Sequence, residues 1–293
     1  MNEVILSNEH FEMGVLPDTG ASLSFFRYKG KDILRPMDLS KKNLDANESA
    51  MFLMIPFAGR IRGGSFVYWG ITRRMAKNQI GIHDPIHGDA WKSKWQIEEQ
   101  KPHQLTLKMS HKKEDGGFPF PYDARVIYTL TKTGLLIELD VHNTAVLPMP
   151  CGLGIHPFFI KTKDVQLQFN TKTVWANESD PILDKPYTTP QNWDFSTSKA
   201  LGKTEFDTCF GGFDGVARIE YPENGYQVQL SADGQFGHVV LYSPKGKGFF
   251  CLEPTTNASN AFNLAAAGVI GTGIKSIGPN QNITAKIALD IKE

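Results

Sequence analysis

Cysteine is scarce. The three present, Cys151, Cys209 and Cys251, make no paired framework and no C-x-x-C motif, so a disulfide scaffold is excluded and a reduced, cytoplasmic setting is expected. An excess of one charge is also missing. The 31 Lys and Arg balance the 31 Asp and Glu, which removes the usual electrostatic case for a nucleic-acid or anionic-membrane partner. No apolar run approaches the ~20 residues of a membrane helix. The opening MNEVILSNEHFEMGVLP carries an acidic residue where a signal peptide is basic, and its apolar run is short, so no leader is expected. There is no G-x-S-x-G elbow and no Walker loop, and the glycines of GVIGTGIKSIG do not form G-x-G-x-x-G. The triplet Asn177-Glu178-Ser179 matches a glycosylation acceptor, which carries no meaning in a cytoplasmic protein. Helical periodicity is confined to NASNAFNLAAAGV, which suits one or two turns with Ser259 or Asn260 as cap.

What the chain has instead is period-two patterning. In GLLIELDVHN, Leu135, Ile137, Leu139 and Val141 share one face. In NITAKIALDI, Ile283, Ala285, Ile287, Leu289 and Ile291 alternate with Thr284, Lys286 and Asp290. Such alternation marks half-buried antiparallel strands. Further runs (ARVIYTL, GVARIEY, YQVQLSA, HVVLYSP, GFFCLEP) are separated by Gly, Pro, Asn and Asp. With 41% apolar residues the chain can bury a sizeable core. The expected fold is all-β, one large sandwich of antiparallel sheets with few short helices, as a single domain over residues 1–293.

Two titratable residues each precede a proline. In CGLGIHPFF, Pro157 pushes His156 toward extended backbone, and Gly152 and Gly154 let another group approach. In GFFCLEP, Pro254 restricts Glu253 in the same way, and a carboxylate after an apolar run is costly to bury unless paired. Both residues read as strand ends. In PFAGRIRGGSFVYWG, Arg60 and Arg62 would share a strand face, with Gly63-Gly64 as a hairpin turn. His83 and His87 have the i, i+4 spacing of a zinc site, but Pro85 between them argues against the helix that would aim both at one metal.

Together and in order, GRIRGGSFVYWG, IHGDAWKSKW, GFPFPYDARVIYTL, PMPCGLGIHPFF, FDTCFGGFDGVARI and LEPTTNASNAFN resemble the aldose 1-epimerase (galactose mutarotase) family over nearly the whole chain. The resemblance implies a large antiparallel β-supersandwich. It also implies interconversion of the α and β anomers of a free aldohexose, with no metal or organic cofactor. By the matching motifs, Glu253 takes the general-base position and His156 the general-acid position, on opposite sides of the sugar. His87 and Arg60 fall where the family holds the ring oxygen and hydroxyls, and Asp207 binds hydroxyls on the far side. Gly59 stands where the family commonly has Asn, which removes an amide near Arg60. The implied partner is a small-molecule sugar, with no nucleic acid or membrane, and the protein is a monomer or homodimer. A neutral hexose is expected. An anionic sugar is the alternative, because Arg62, Arg73, Arg74 and Lys77 form a local positive excess. A non-catalytic carbohydrate-binding or sugar-sensing protein is the alternative of a different class. Reference values near 4.3 for the carboxyl and 6.5 for the imidazole give a bell-shaped pH profile.

Overall fold

The computed structural model describes residues 2–113, 117–175 and 185–293; the Asn177–Ser179 triplet lies outside them. Strands dominate, and most of them fall into two large sheets, with two two-stranded ribbons besides. One is nine-stranded and carries the alternating segments read from the sequence. Its middle pairs Gly134–Asn143 with Asn282–Lys292, matching Leu135 with Leu289, Ile137 with Ile287, Leu139 with Ala285 and Val141 with Ile283. These pairs are all buried, while Glu138 faces Lys286 on the wetter side. Each apolar pair adds to one face only, the arrangement that period-two alternation encodes.

The other sheet has eleven strands. Its centre runs in the order Gly154–Ile160, Phe249–Thr255, His238–Ser243 and Phe206–Gly211. Met51–Met54 also pairs with Gly154–Ile160. Met51–Met54, Gly154–Ile160 and Phe249–Thr255 are buried on both faces, with all four residues of the first, six of the seven in the second and six of the seven in the third buried. One face of this sheet gives Ile155, Phe159, Phe250, Leu252, Leu241 and Phe210 to the main apolar core, which also contains the inner face of the nine-stranded sheet. The other face lies under loops.

Among the described residues the only α-helix is Ala261–Ala266, within the stretch expected to be helical. Asn260 precedes it with a left-handed backbone, φ 56°, and its side chain does not cap the helix. It accepts hydrogen bonds from the Arg62 N–H and the Asn263 amide instead. The hairpin turn expected at Gly63-Gly64 lies further on. The paired strands are Ser65–Tyr68 and Ile71–Arg74, joined by Trp69 and Gly70, both at positive φ, as a two-residue I′-type turn requires. No helix among the described residues is long and apolar enough to cross a membrane.

Candidate active site

The loop-covered face of the eleven-stranded sheet is the floor of a cavity of about 380 Å³. Strand register explains which residues reach it. Gly154 pairs with Thr255 and Phe158 with Cys251, a register that sets His156 opposite Glu253. Glu253 in turn pairs with Val240, and Val240 with Cys209. Two positions along, the row reads Phe158, Cys251, Tyr242 and Asp207. Because side chains alternate, both rows point to the same face. Seven of these eight residues line the cavity, Cys251 being the exception.

His156 and Glu253 are therefore cross-strand neighbours inside their strands, not strand ends as the prolines suggested. Pro157 and Pro254 both lie within strands, each with at least one paired residue beyond it. The consequence is contact. His156 Nε2 lies 3.2 Å from Glu253 Oε1, and the side chains do not stand across the cavity from one another. Glu253 is 3% exposed, and an unpaired carboxylate at that depth would be costly. Contact with a carboxylate favours a charged imidazole, but burial opposes it. Burial first, then His87 and Arg35, hold the His156 imidazole well below its ordinary value. Burial wins, so the imidazole that lies 3.2 Å from Glu253 is held mostly in its neutral form.

The walls come from a short ladder between residues 59–61 and 85–87. His87 N–H donates to Gly59 O at 2.8 Å, Ile61 N–H to Pro85 O at 3.0 Å, and Arg60 bridges Ile86. This ladder brings His87 and Arg60 to the cavity. The Gly59 N–H donates to His87 Nδ1 at 3.2 Å, which places the imidazole proton on Nε2. Burial, with Arg60 adding to it, pushes His87 down to about 3. His87 is thus a neutral hydrogen-bond donor across the physiological range. It cannot share a metal with His83 as the spacing suggested, because no helix connects them and His83 is exposed.

Gly59 has φ +72°, and a Cβ there would come within 2.8 Å of Ser259 Cα. The space of the family's usual Asn is taken by Ser259, whose hydroxyl accepts from Arg60 N–H at 3.2 Å. Gly59→Asn is expected to lower stability by about 1–3 kcal/mol, since the Ser259 backbone must move. A denaturation midpoint equal to wild type would contradict this packing.

The sequence reading missed Arg35. Its guanidinium lies 3.8 Å over the Phe158 ring and 4.6 Å from Phe249, and donates to the carbonyls of Asn47 and Ser49. Phe158 stacks on His156 at 4.6 Å, His156 on Phe52 at 4.4 Å, and Phe52 on Trp91 at 5.1 Å. The imidazole packs against both Phe52 and Phe158, whose rings also lie 6.1 Å from each other, each such contact contributing about 0.5–1.5 kcal/mol. Arg35 depresses the His156 pKa, and a depressed imidazole loses its proton at lower pH. Removing that cation with Arg35→Met is therefore expected to move the alkaline limb of kcat/KM upward. A limb that stays or falls would show that His156 does not feel Arg35.

All five proposed site residues, Glu253, His156, His87, Arg60 and Asp207, line one cavity. Asp207 sits exposed at its mouth. Desolvation raises its pKa and Arg60 opposes this; at an exposed position solvent screens both effects. Arg62 does not share a face with Arg60. It opens a 3₁₀ turn at Arg62–Gly64 and is exposed. Arg62, Arg73, Arg74 and Lys77 are all absent from the cavity wall, and Arg73 packs over Phe120 at 5.1 Å instead.

A strand-built cavity with a buried carboxylate–imidazole contact on a double-sheet all-β frame is a small-ligand site. The aldose 1-epimerase family model matches residues 2–289, and the chain belongs to that family. It is 25% identical to the uncharacterized protein YphB of Escherichia coli K12 over 94% of both chains. It is also 25% identical to the solved structure of a candidate aldose 1-epimerase from Escherichia coli K12, with a TM-score of 0.90 over 99% of each chain. A GalM/aldose epimerase homologue from C. elegans, 16% identical, shares the fold with a TM-score of 0.84 over 100% of this chain and 99% of its own.

Proposed function

We propose that this protein is a cofactor-independent aldose 1-epimerase that opens and recloses the ring of a free aldohexose. The observation that carries the reading is the buried His156–Glu253 pair, 3.2 Å apart on the floor of a sugar-sized cavity. Glu253 takes the anomeric O–H proton while the protonated form of His156, scarce because burial holds its pKa well below the ordinary value and strongly acidic for the same reason, protonates the ring oxygen. The C1–ring-oxygen bond breaks and C1 becomes an aldehyde. Rotation about C1–C2 and reclosure return both protons from the other face. During opening, a carboxylate and an imidazolium become a neutral acid and a neutral imidazole. Burial favours that product form, so the transfer relieves the cost of two buried charges. Each assisted proton transfer contributes about 10²–10⁴-fold. The Nε2–H of His87 and the cation of Arg60 are donors for ring and hydroxyl oxygens, and Asp207 is an acceptor at the mouth.

Within this reading the substrate is a neutral hexose. The positive cluster that argued for an anionic sugar lies off the cavity, and the two arginines lining it are accompanied by Asp207 and Glu253. The test is a panel of glucose, galactose, glucose 6-phosphate and sulfoquinovose followed by polarimetry. The expected result is the highest kcat/KM on a neutral hexose; a strong preference for an anionic sugar would overturn that assignment.

A further inference from the structure

Beneath the floor of the cavity lies a third group that the acid–base reading does not use. Cys251 is two residues before Glu253 on the same strand face and is wholly buried. One ring nitrogen of His156, the Cys251 sulfur and one Glu253 carboxylate oxygen all lie within 4.8 Å of one another. We propose that these three side chains form an inhibitory site for a thiophilic divalent cation, with Zn²⁺ as its best occupant. The inference rests in part on the mutarotase reading, which supplies what the metal inhibits.

The donor set is one imidazole nitrogen, one thiolate and one carboxylate, the ligand types that zinc takes. Zinc–ligand bonds of about 2.0–2.3 Å at tetrahedral angles put donors about 3.3–3.6 Å apart. The His156–Glu253 contact is already 3.2 Å and no two of the three donors are more than 4.8 Å apart, so closure asks for movements of about 1 Å. Thiolate and carboxylate together neutralise a dication, which suits a buried position. Arg35 and Arg60 oppose a cation there, while Asp207 favours it; all three line the same cavity. His156 and Glu253 border that cavity, so a water from it can complete the tetrahedron. On binding, a Zn–S bond forms and the Cys251 thiol proton leaves to solvent. His156 and Glu253 give lone pairs to the metal and can no longer move protons for the sugar. The ion acts as an inhibitor competing with the sugar.

The test begins with chelated full-length protein, expected to be fully active in anomer equilibration. Zinc binding is read by competition with a chromophoric chelator, and site chemistry by the thiolate-to-metal absorption band of added Co²⁺, both without sugar. Wild type is expected to take one Zn²⁺ per chain, show the Co²⁺ band and lose activity. Cys251→Ser is expected to keep its activity, lose the band and need at least about tenfold more Zn²⁺ for half inhibition. Cys251→Ala serves equally if the serine variant folds poorly. Cys209→Ser, whose thiol lines the cavity but lies outside the cluster, should match wild type. Zinc inhibition and Co²⁺ absorption that persist without Cys251, or that vanish with Cys209, would overturn the site, as would no binding by wild type. Because the metal readouts need no sugar, Cys251-dependent binding by a protein with no mutarotase activity would refute the enzymatic reading alone. An active enzyme without that binding would refute the metal site alone.

Discussion

Glu253→Gln is expected to lower kcat for anomer interconversion by about 10²-fold or more while sugar binding survives. Glutamine keeps the shape of the side chain and one acceptor oxygen toward His156 Nε2, so the cross-strand contact can persist. It cannot accept the anomeric proton. Loss therefore falls on kcat, not on KM, because the hydroxyl-binding groups on the walls are unchanged. Near-normal anomerisation by Glu253→Gln in dilute, weakly catalytic buffer would remove Glu253 as the base.

His156→Asn is expected to cost about as much, by the loss of the proton donor to the ring oxygen. The double variant Glu253→Gln/His156→Asn should cost less than the two single losses combined. Both residues serve one proton-coupled step, and they touch at 3.2 Å, well inside the range where substitutions fail to add. Strict additivity in log kcat would mean that the two act in separate steps. Asparagine also leaves a smaller side chain packed against Phe52 and Phe158. Thermal unfolding should accompany the kinetics, so that lost packing is separated from lost chemistry.

The half-buried sheet was legible because its strands alternate. Leu135 to Val141 and Ile283 to Ile291 announce one wet and one dry face, and the fold pairs the two strands with dry face beside dry face. The central strands of the other sheet carry no alternation, since both their faces are buried. There the prolines were the misleading signal. Pro157 and Pro254 suggested strand ends, whereas the chain continues extended through both. Facing each other across two strands, His156 and Glu253 meet through a register that only the fold supplies. Part of the signal was present: Asp207 and Cys209 in FDTCF, and Cys251 and Glu253 in FFCLEP, are each two apart and so share a face. Reading the cysteines only for pairs and motifs passed over that spacing. Arg35 carried no such mark. It precedes a proline after Lys31–Leu34, and its place over Phe158 follows from a contact 123 residues away in sequence. The Ser259 that occupies the space of the family's asparagine at Gly59 is equally non-local.

The acid–base account stands or falls on one observation: the rate at which a freshly dissolved pure anomer of glucose or galactose mutarotates, followed by polarimetry in dilute, weakly catalytic buffer. The account predicts that micromolar wild-type protein speeds the approach to equilibrium well beyond the buffer rate, and that the same amount of Glu253→Gln does not. Wild-type protein that binds the sugar yet leaves its rate of mutarotation unchanged would contradict it, and would make this cavity the site of a sugar-binding protein instead.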